Sequence, residues 1–132
     1  MLFRYKKSCE KIAMGMLAFM PEERDLKKLR HTMQVYQENP DWQLFLWKEG
    51  EDFVGLIGAE VKEDHFTVHH LSLCPSFRGE GIGHQMVYKL QKILQPRVMR
   101  GTQETQRFLD KCLNNPSEVV VEDLQPSAKH IS

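Results

Sequence analysis

Apolar residues in the N-terminal third of the chain recur every three or four positions, which predicts amphipathic helices. A first helix is expected over Cys9–Met20, with Ser8 as its N-cap, after a short strand at Leu2–Lys6. A second helix is expected to begin at Pro21, because proline fits the first turn of a helix, and to end at Asn39, before another proline. The chain therefore opens with one strand and two helices.

The middle of the chain alternates between apolar and polar residues with a period of two, which is typical of strands. Turn residues interrupt this alternation near Gly50 and near Asp64. The pattern predicts successive antiparallel strands at Trp42–Lys48, Phe53–Val61 and Phe66–Cys74.

Helical spacing returns from Ile82 to Leu94, and the proline at position 96 is expected to end that helix. The elements predicted after it are a strand at Arg97–Arg100, a helix at Glu104–Leu113 and a last strand at Ser117–Glu122. We therefore predict a single domain over residues 1–122 and a loosely ordered tail over residues 123–132.

Charge and composition limit the kinds of partner that the sequence predicts. Eighteen basic and eighteen acidic residues cancel, so no global basic field would recruit nucleic acid or an anionic membrane. No apolar run approaches the ~20 residues that a membrane-spanning helix needs. Cys9, Cys74 and Cys112 are widely spaced and lack metal-type pairing, so we expect reduced thiols, no metal site and a cytoplasmic location.

A glycine-rich loop connects the third central strand to the next helix. Pro75 ends the strand, and the run Arg78-Gly79-Glu80-Gly81-Ile82-Gly83 leads directly into the helix. Glycines at every second position let the backbone turn sharply and keep side chains away from the loop amides. These amides and the positive end of the helix dipole suit a phosphate or pyrophosphate. The loop lacks the Lys-Ser/Thr of a P-loop and the G-x-G-x-x-G spacing of a dinucleotide site.

The run R-x-x-G-x-G at Arg78–Gly83, preceded by Leu71-Ser72-Leu73-x-Pro75, resembles the coenzyme A signature of the GNAT acyltransferases. The predicted order β-α-α-β-β-β-α-β-α-β is also that of the GNAT fold. The resemblance therefore implies an α/β (α+β) fold, in which helices flank a mixed, mostly antiparallel sheet. Within this superfamily the chain looks like the RibT family, which is encoded with bacterial riboflavin-biosynthesis genes. The runs that carry this closer resemblance are F-R-Y-K-K-S, E-K-I-A-M-G, F-M-P and Q-L-F-L-W-K-E, starting at Phe3, Glu10, Phe19 and Gln43.

The resemblance implies acetyl-CoA as the cofactor and a small amine as the acceptor, in an N-acetyl transfer linked to riboflavin metabolism. It places the main-chain groups of Leu71, Ser72 and Leu73 along the pantetheine arm, with an N–H near Leu73 on the thioester carbonyl. It assigns the pyrophosphate to the amides of the loop residues Arg78, Gly79, Glu80, Gly81, Ile82, Gly83 and His84.

Acetylation of an amine also needs a proton acceptor, because an ammonium group cannot attack a thioester. His69 and His70 immediately precede the segment assigned to the cofactor, and an imidazole titrates near the working pH. Because successive strand residues face opposite ways, one of the two histidines is open to a purely structural interpretation. Glu60, on the preceding strand, is the competing base or amine anchor, and its simpler interpretation is a solvent-facing strand residue.

The last helix departs from the superfamily pattern N-x-x-A-x-x-L/F-Y-E-K. Thr102 replaces the Asn, Thr105 replaces the Ala, and Leu109 replaces the Tyr that protonates the departing thiolate. Thr102 or Thr105 would then bind the cofactor arm, or water would protonate the thiolate. The missing tyrosine supports an alternative function, a CoA-binding regulatory or interaction module with little or no turnover.

Overall fold

The computed structural model describes residues 1–114, so the strand predicted at Ser117–Glu122 and the predicted tail lie outside the described residues. The strands are β1 (Leu2–Arg4), β2 (Trp42–Glu49), β3 (Asp52–Val61), β4 (His65–Leu73) and β5 (Val98–Gly101). The helices are α1 (Glu10–Leu17), α2 (Leu26–Glu38), α3 (Ile82–Leu94) and α4 (Gln106–Asn114).

The strands form a five-stranded sheet in the order β1-β2-β3-β4-β5. Neighbours from β1 to β4 are antiparallel, whereas β5 pairs parallel with β4. Parallel neighbours need a crossover connection, and α3 provides it. The predicted α/β (α+β) fold, with a mixed and mostly antiparallel sheet flanked by helices, is confirmed.

Helices cover both faces of the sheet because side chains alternate along each strand. On one face, Leu44 and Leu46 of β2 pack with residues of α1 and α2. On the other face, Phe45 of β2 and Phe66 of β4 pack with residues of α3 and α4. No helix within residues 1–114 is both long and apolar enough to cross a membrane.

Two local predictions near the N-terminus are wrong. Ser8 lies inside a 3₁₀ turn, Lys7–Cys9, so it is not the N-cap, and α1 begins at Glu10. Pro21 begins a 3₁₀ turn that ends at Glu23, and α2 starts only at Leu26. The second difference has a physical cause, because the Glu23 side chain is 1% exposed and turns inward rather than toward solvent at a helix N-terminus.

Candidate active site

Strand β4 is paired on both sides only along its first half, because β5 pairs with it no further than Val68. The Leu73 carbonyl accepts a hydrogen bond from Nε of Arg78 at 3.1 Å and so points away from β3. The next amide, of Cys74, donates to a β3 carbonyl at 2.8 Å. Backbone groups of alternate residues share an edge in an antiparallel pair, so Leu71 and Leu73 both present N–H and C=O groups to the open edge.

Ser72 differs from its two neighbours. By the same alternation its backbone points toward β3. Its hydroxyl donates to the Met16 carbonyl at 2.7 Å, and the residue is 6% exposed. The side chain of Ser72 therefore ties β4 to the C-terminal end of α1.

The loop after β4 turns through two glycines in the left-handed region, Gly79 at φ 85° and Gly81 at φ 82°. Residues with a β-carbon are strained there. Gly81 is the N-cap of α3, and its carbonyl accepts the first helical bond from the Gln85 amide at 3.1 Å. The amides of Ile82 and Gly83 precede that bond and point out of the helix N-terminus. Such an end attracts anions.

The open edge of β4 and the glycine loop border a groove of about 1130 Å³. The predicted cofactor residues that line it are Leu71, Ser72, Leu73, Arg78, Gly79, Gly81, Gly83, His84 and Thr105. The other two predicted loop residues, Glu80 and Ile82, do not line it, and the Ile82 side chain is packed in the core. Further walls come from the segment Phe19–Glu22, defined here as the wall segment, and from Glu104, Phe108 and Lys111 near and on α4.

The lining fits coenzyme A. The strand edge offers backbone donors and acceptors to an amide-containing arm, and the helix end suits its phosphates. A β-carbon at Gly83 would lie 2.6 Å from the Phe108 ring, so the helix and the groove wall approach closely only because position 83 is glycine. Arg78 is exposed at this groove, with its guanidinium 5.8 Å from the centroid of the Phe19 ring. No carboxylate within residues 1–114 forms an ion pair with Arg78, which leaves its charge available to a phosphate.

Strand β4 contains one extra residue at His69. Gly58 of β3 lies opposite His70, whereas the next β3 residue, Ala59, lies opposite Val68. A bulge of this kind interrupts the alternation of side chains. The rings of His69 and His70 lie 6.3 Å apart, and both reach aromatic residues of α2 and β2 on the same side of the sheet. The opposite orientation expected of successive strand residues is therefore wrong for this pair.

His69 is half-buried and stacks on Trp42, with ring centroids 4.4 Å apart and planes inclined by 30°. Its Nε2 lies 3.3 Å from Oε1 of Glu60, whose other oxygen lies 3.3 Å from Nζ of Lys62. Burial lowers the pKa of His69 below 6.5; Glu60 opposes this change and His70 adds to it. The neutral ring therefore donates from Nε2–H to Glu60 and keeps Nδ1 as its basic nitrogen.

His70 is buried, and both of its ring nitrogens have partners. Nδ1 lies 2.6 Å from the Tyr36 hydroxyl, and Nε2 lies 3.0 Å from Oε2 of Glu23. The Thr32 hydroxyl donates to Oε1 of Glu23 at 2.8 Å. We call Glu23, Thr32, Tyr36 and His70 the buried network; each member is less than 9% exposed.

The protonation states within the buried network follow from its surroundings. Burial raises the pKa of Tyr36 well above its usual value, so the phenol stays protonated and donates to Nδ1 of His70. Burial acts to raise the pKa of Glu23, but the hydrogen bonds from His70 and Thr32 and the nearby charge of Lys28 together outweigh it, so the pKa is lowered. The Nζ of Lys28 lies 3.7 Å from Oε2 of Glu23. The Glu23 carboxylate accepts from Nε2–H of His70. Neither nitrogen of His70 is left to accept a proton from an amine.

Sequence reasoning missed Glu23 and Tyr36 as site residues. Tyr36 falls in the apolar stripe of α2, and the only signal is that a buried tyrosine hydroxyl requires a partner. Glu23 follows Pro21 at an apparent helix start, where acidic residues are common. Nothing in that pattern distinguishes a carboxylate that turns toward a strand 47 positions away.

A second cavity, of about 310 Å³, adjoins the groove. Its lining includes His69, His70 and Trp42, whereas Glu60 lies behind His69 and does not line it. Helix α2 contributes Lys28, His31, Thr32 and Val35. Glu22 and Glu104 line both cavities and so stand where the two meet. Within residues 1–114, neither carboxylate forms an ion pair. No group of three or more potential metal ligands is found among the same residues.

Thr105 and Leu109 both face inward from the α4 region. The Thr105 hydroxyl donates to the Val68 carbonyl at 2.7 Å, at the point where β5 leaves β4, and accepts from the Thr102 amide at 2.9 Å. Leu109 is 1% exposed and packs in the core, while its neighbour Phe108 lines the groove. No tyrosine within residues 1–114 lines the groove.

Comparison with known proteins identifies the class to which this fold and groove belong. Residues 12–114 match the model of the acetyltransferase (GNAT) family. The chain is 51% identical over 113 residues to a Bacillus methanolicus protein named "uncharacterized N-acetyltransferase in lysA 3′ region", covering 85% of this chain and 94% of that protein.

Solved structures agree in fold. An aminoglycoside acetyltransferase, AAC(6′)-Iy, in complex with the bisubstrate analogue CoA-S-monomethyl-acetylneamine, superposes with a TM-score of 0.65 at 14% identity, covering 89% of this chain and 88% of that one. The PaiA N-acetyltransferase of Thermoplasma acidophilum, in complex with coenzyme A, gives a TM-score of 0.56 at 13% identity, covering 72% of this chain and 71% of that one.

The chain belongs to the GNAT family of acetyltransferases. Membership confirms the predicted superfamily, an acyltransferase activity and acetyl-CoA as the cofactor.

Proposed function

We propose that this protein transfers the acetyl group of acetyl-CoA to the amine of a small molecule, with His69 as the general base. One observation carries the proposal: the bulge in β4 turns His69 into a small cavity that meets the groove at Glu22 and Glu104. An acceptor held there would have its amine between a base and the open edge of β4.

His69 suits the role of base by its geometry and its charge state. Its lowered pKa keeps the ring neutral at pH 7, and Nδ1 is the nitrogen able to take a proton from the acceptor ammonium. Glu60 is a positioning residue in this account, because its carboxylate fixes the proton of His69 on Nε2 and stabilises the imidazolium that forms. Trp42 holds the plane of the ring by stacking.

The strand edge and the loop provide the remaining parts. In this proposal an outward N–H near Leu73 donates to the oxyanion, and the amides at the start of α3 bind the pyrophosphate. Acetyl-CoA, when bound, supplies an acetyl thioester, and its transfer to the amine leaves the thiol of CoA. Water in the open groove is the proton donor to the departing sulfur in this proposal, and the groove lining within residues 1–114 contains no tyrosine.

The size of the second cavity and the resemblance to the RibT family indicate which acceptor amines should be tested. A cavity of about 310 Å³ admits a small amine, and amine precursors of riboflavin are the candidates that the resemblance brings forward. The test is release of CoA thiol from acetyl-CoA, measured across a panel of small amines that includes these precursors. We expect thiol release that depends on one class of amine, together with an acetylated product detected by mass spectrometry. The reaction without amine measures hydrolysis and is the control.

A CoA-binding module with little turnover is the second candidate, favoured by Leu109, which is buried in the core where family members carry the acidic tyrosine. Tight binding of CoA without thiol release for any amine in the panel would select this candidate. Amine-dependent release would exclude it.

A further inference from the structure

The buried network joins three elements that border the two cavities. Glu23 follows the wall segment directly, Thr32 and Tyr36 belong to α2, and His70 belongs to β4. Through Glu23 and His70 the network links the residue after the wall segment to β4, and both the wall segment and β4 line the groove. The hydrogen bond between Glu23 and His70 therefore helps to set the distance between the wall segment and β4.

A glycine at position 58 makes room for the buried network. Gly58 lies opposite His70, and a β-carbon there would overlap the Tyr36 hydroxyl and the Leu44 side chain. Only glycine at position 58 lets the phenol reach Nδ1 of His70. A buried histidine with both nitrogens bonded and a buried carboxylate with two donors are costly to disturb, because each lost contact leaves a polar group unpaired.

We propose that Glu23, acting through His70, is a positioning residue that fixes the wall segment against β4 and so sets the width of the CoA groove. Tyr36 supports this role by holding the proton of His70 on Nε2, where Glu23 accepts it. The inference rests on the proposed function only in taking this groove as the CoA site. Glu22 lies on the same segment, so a displaced wall also alters the junction at which the acceptor would meet CoA.

The test compares Glu23→Ala with Glu23→Gln, which keeps an acceptor for Nε2–H and can offer its amide to the Thr32 hydroxyl. We expect Glu23→Ala to weaken CoA binding by about tenfold or more, because the groove is no longer preorganised. Glu23→Gln should restore the affinity to within about threefold of the wild type, since a neutral hydrogen bond replaces a charge-assisted one. Affinities are measured by isothermal titration calorimetry, well below the melting temperature of each variant.

A destabilised control separates positioning from general stability. Val61 of β3 is 8% exposed, packs in the core on the other face of the sheet and does not line the groove, so Val61→Ala lowers the melting temperature without touching the buried network. We expect this control to bind CoA like the wild type. If folded Glu23→Ala also binds CoA within about twofold of the wild type, Glu23 only stabilises the fold and the proposal is overturned.

A milder pair keeps the test decisive if Glu23→Ala does not fold. Tyr36→Phe and Thr32→Val each remove one hydroxyl from the buried network, and each should weaken CoA binding by about threefold to fivefold. Unchanged affinity in both would overturn the proposal. A wild type that binds CoA but acetylates no amine would defeat the proposed function alone, because the readout here is CoA affinity.

Discussion

The pKa of His69 is set by neighbours that act in opposite directions. Burial lowers it, the hydrogen bond with Glu60 raises it, and the nearby His70 lowers it again. The net direction is downward from 6.5, so His69, the proposed base, is neutral at pH 7. Its activity should fall only as the pH drops through a value below 6.5, where the ring becomes protonated and can no longer accept a proton.

Glu60→Gln should lower the pKa of His69 further. Removing the carboxylate takes away the one neighbour that favours the imidazolium, so the pKa of His69 and the acid limb of the kcat/KM profile shift to lower pH. An NMR titration of the His69 ring and a pH–rate profile from about pH 5 to 8 measure the shift. Glu63→Gln, an exposed neighbour, is the control. An unmoved acid limb would show that Glu60 does not act on the base.

In the proposed site the glycine loop and the start of α3 bind the pyrophosphate of CoA together. Gly81 ends the loop in the left-handed region and opens the helix, so its conformation aims the first amides of α3 at the groove. A side chain at this position would strain the backbone by about 1–2 kcal/mol and crowd the approach to those amides.

Gly81→Val should therefore weaken CoA binding at least about tenfold, equivalent to about 1.4 kcal/mol, while the fold is retained. The matched control is Gly50→Val, which imposes a positive φ of 58° on valine in the turn between β2 and β3, outside the groove lining. Calorimetry should find CoA affinity reduced only in the Gly81 variant. Equal losses in both variants would mean that strain, rather than the loop amides, limits binding.

The order of the helices and strands can be predicted from the sequence, but the bulge and the 3₁₀ turn within them cannot. The order of strands and helices follows from hydrophobic period, and the glycine loop from composition, because both are local properties. The bulge at His69 depends on how β4 pairs with β3, and the 3₁₀ turn at Pro21–Glu23 depends on a carboxylate that bonds to β4. Both require partners distant in sequence, so no local pattern indicates them.

The two cavities adjoin each other but are lined largely by different elements of the molecule. The groove is bordered by the open edge of β4, the glycine loop, α4 and the wall segment, whereas the second cavity lies over His69 and His70 beside α2. The cavities share Glu22 and Glu104 but not His69. This arrangement predicts that CoA binding and amine acetylation can be separated by substitution.

The most direct measurement is turnover and CoA affinity of His69→Ala on one preparation, with an amine that the wild type acetylates. Turnover should fall about a hundredfold, which is typical for loss of a general base, while CoA affinity should stay within about twofold. His65→Ala is the control, because His65 lies on the same strand, bonds to Asp64 and lines neither cavity. A His69→Ala protein that keeps the wild-type rate and pH profile would contradict the assignment of the base and the proposed mechanism.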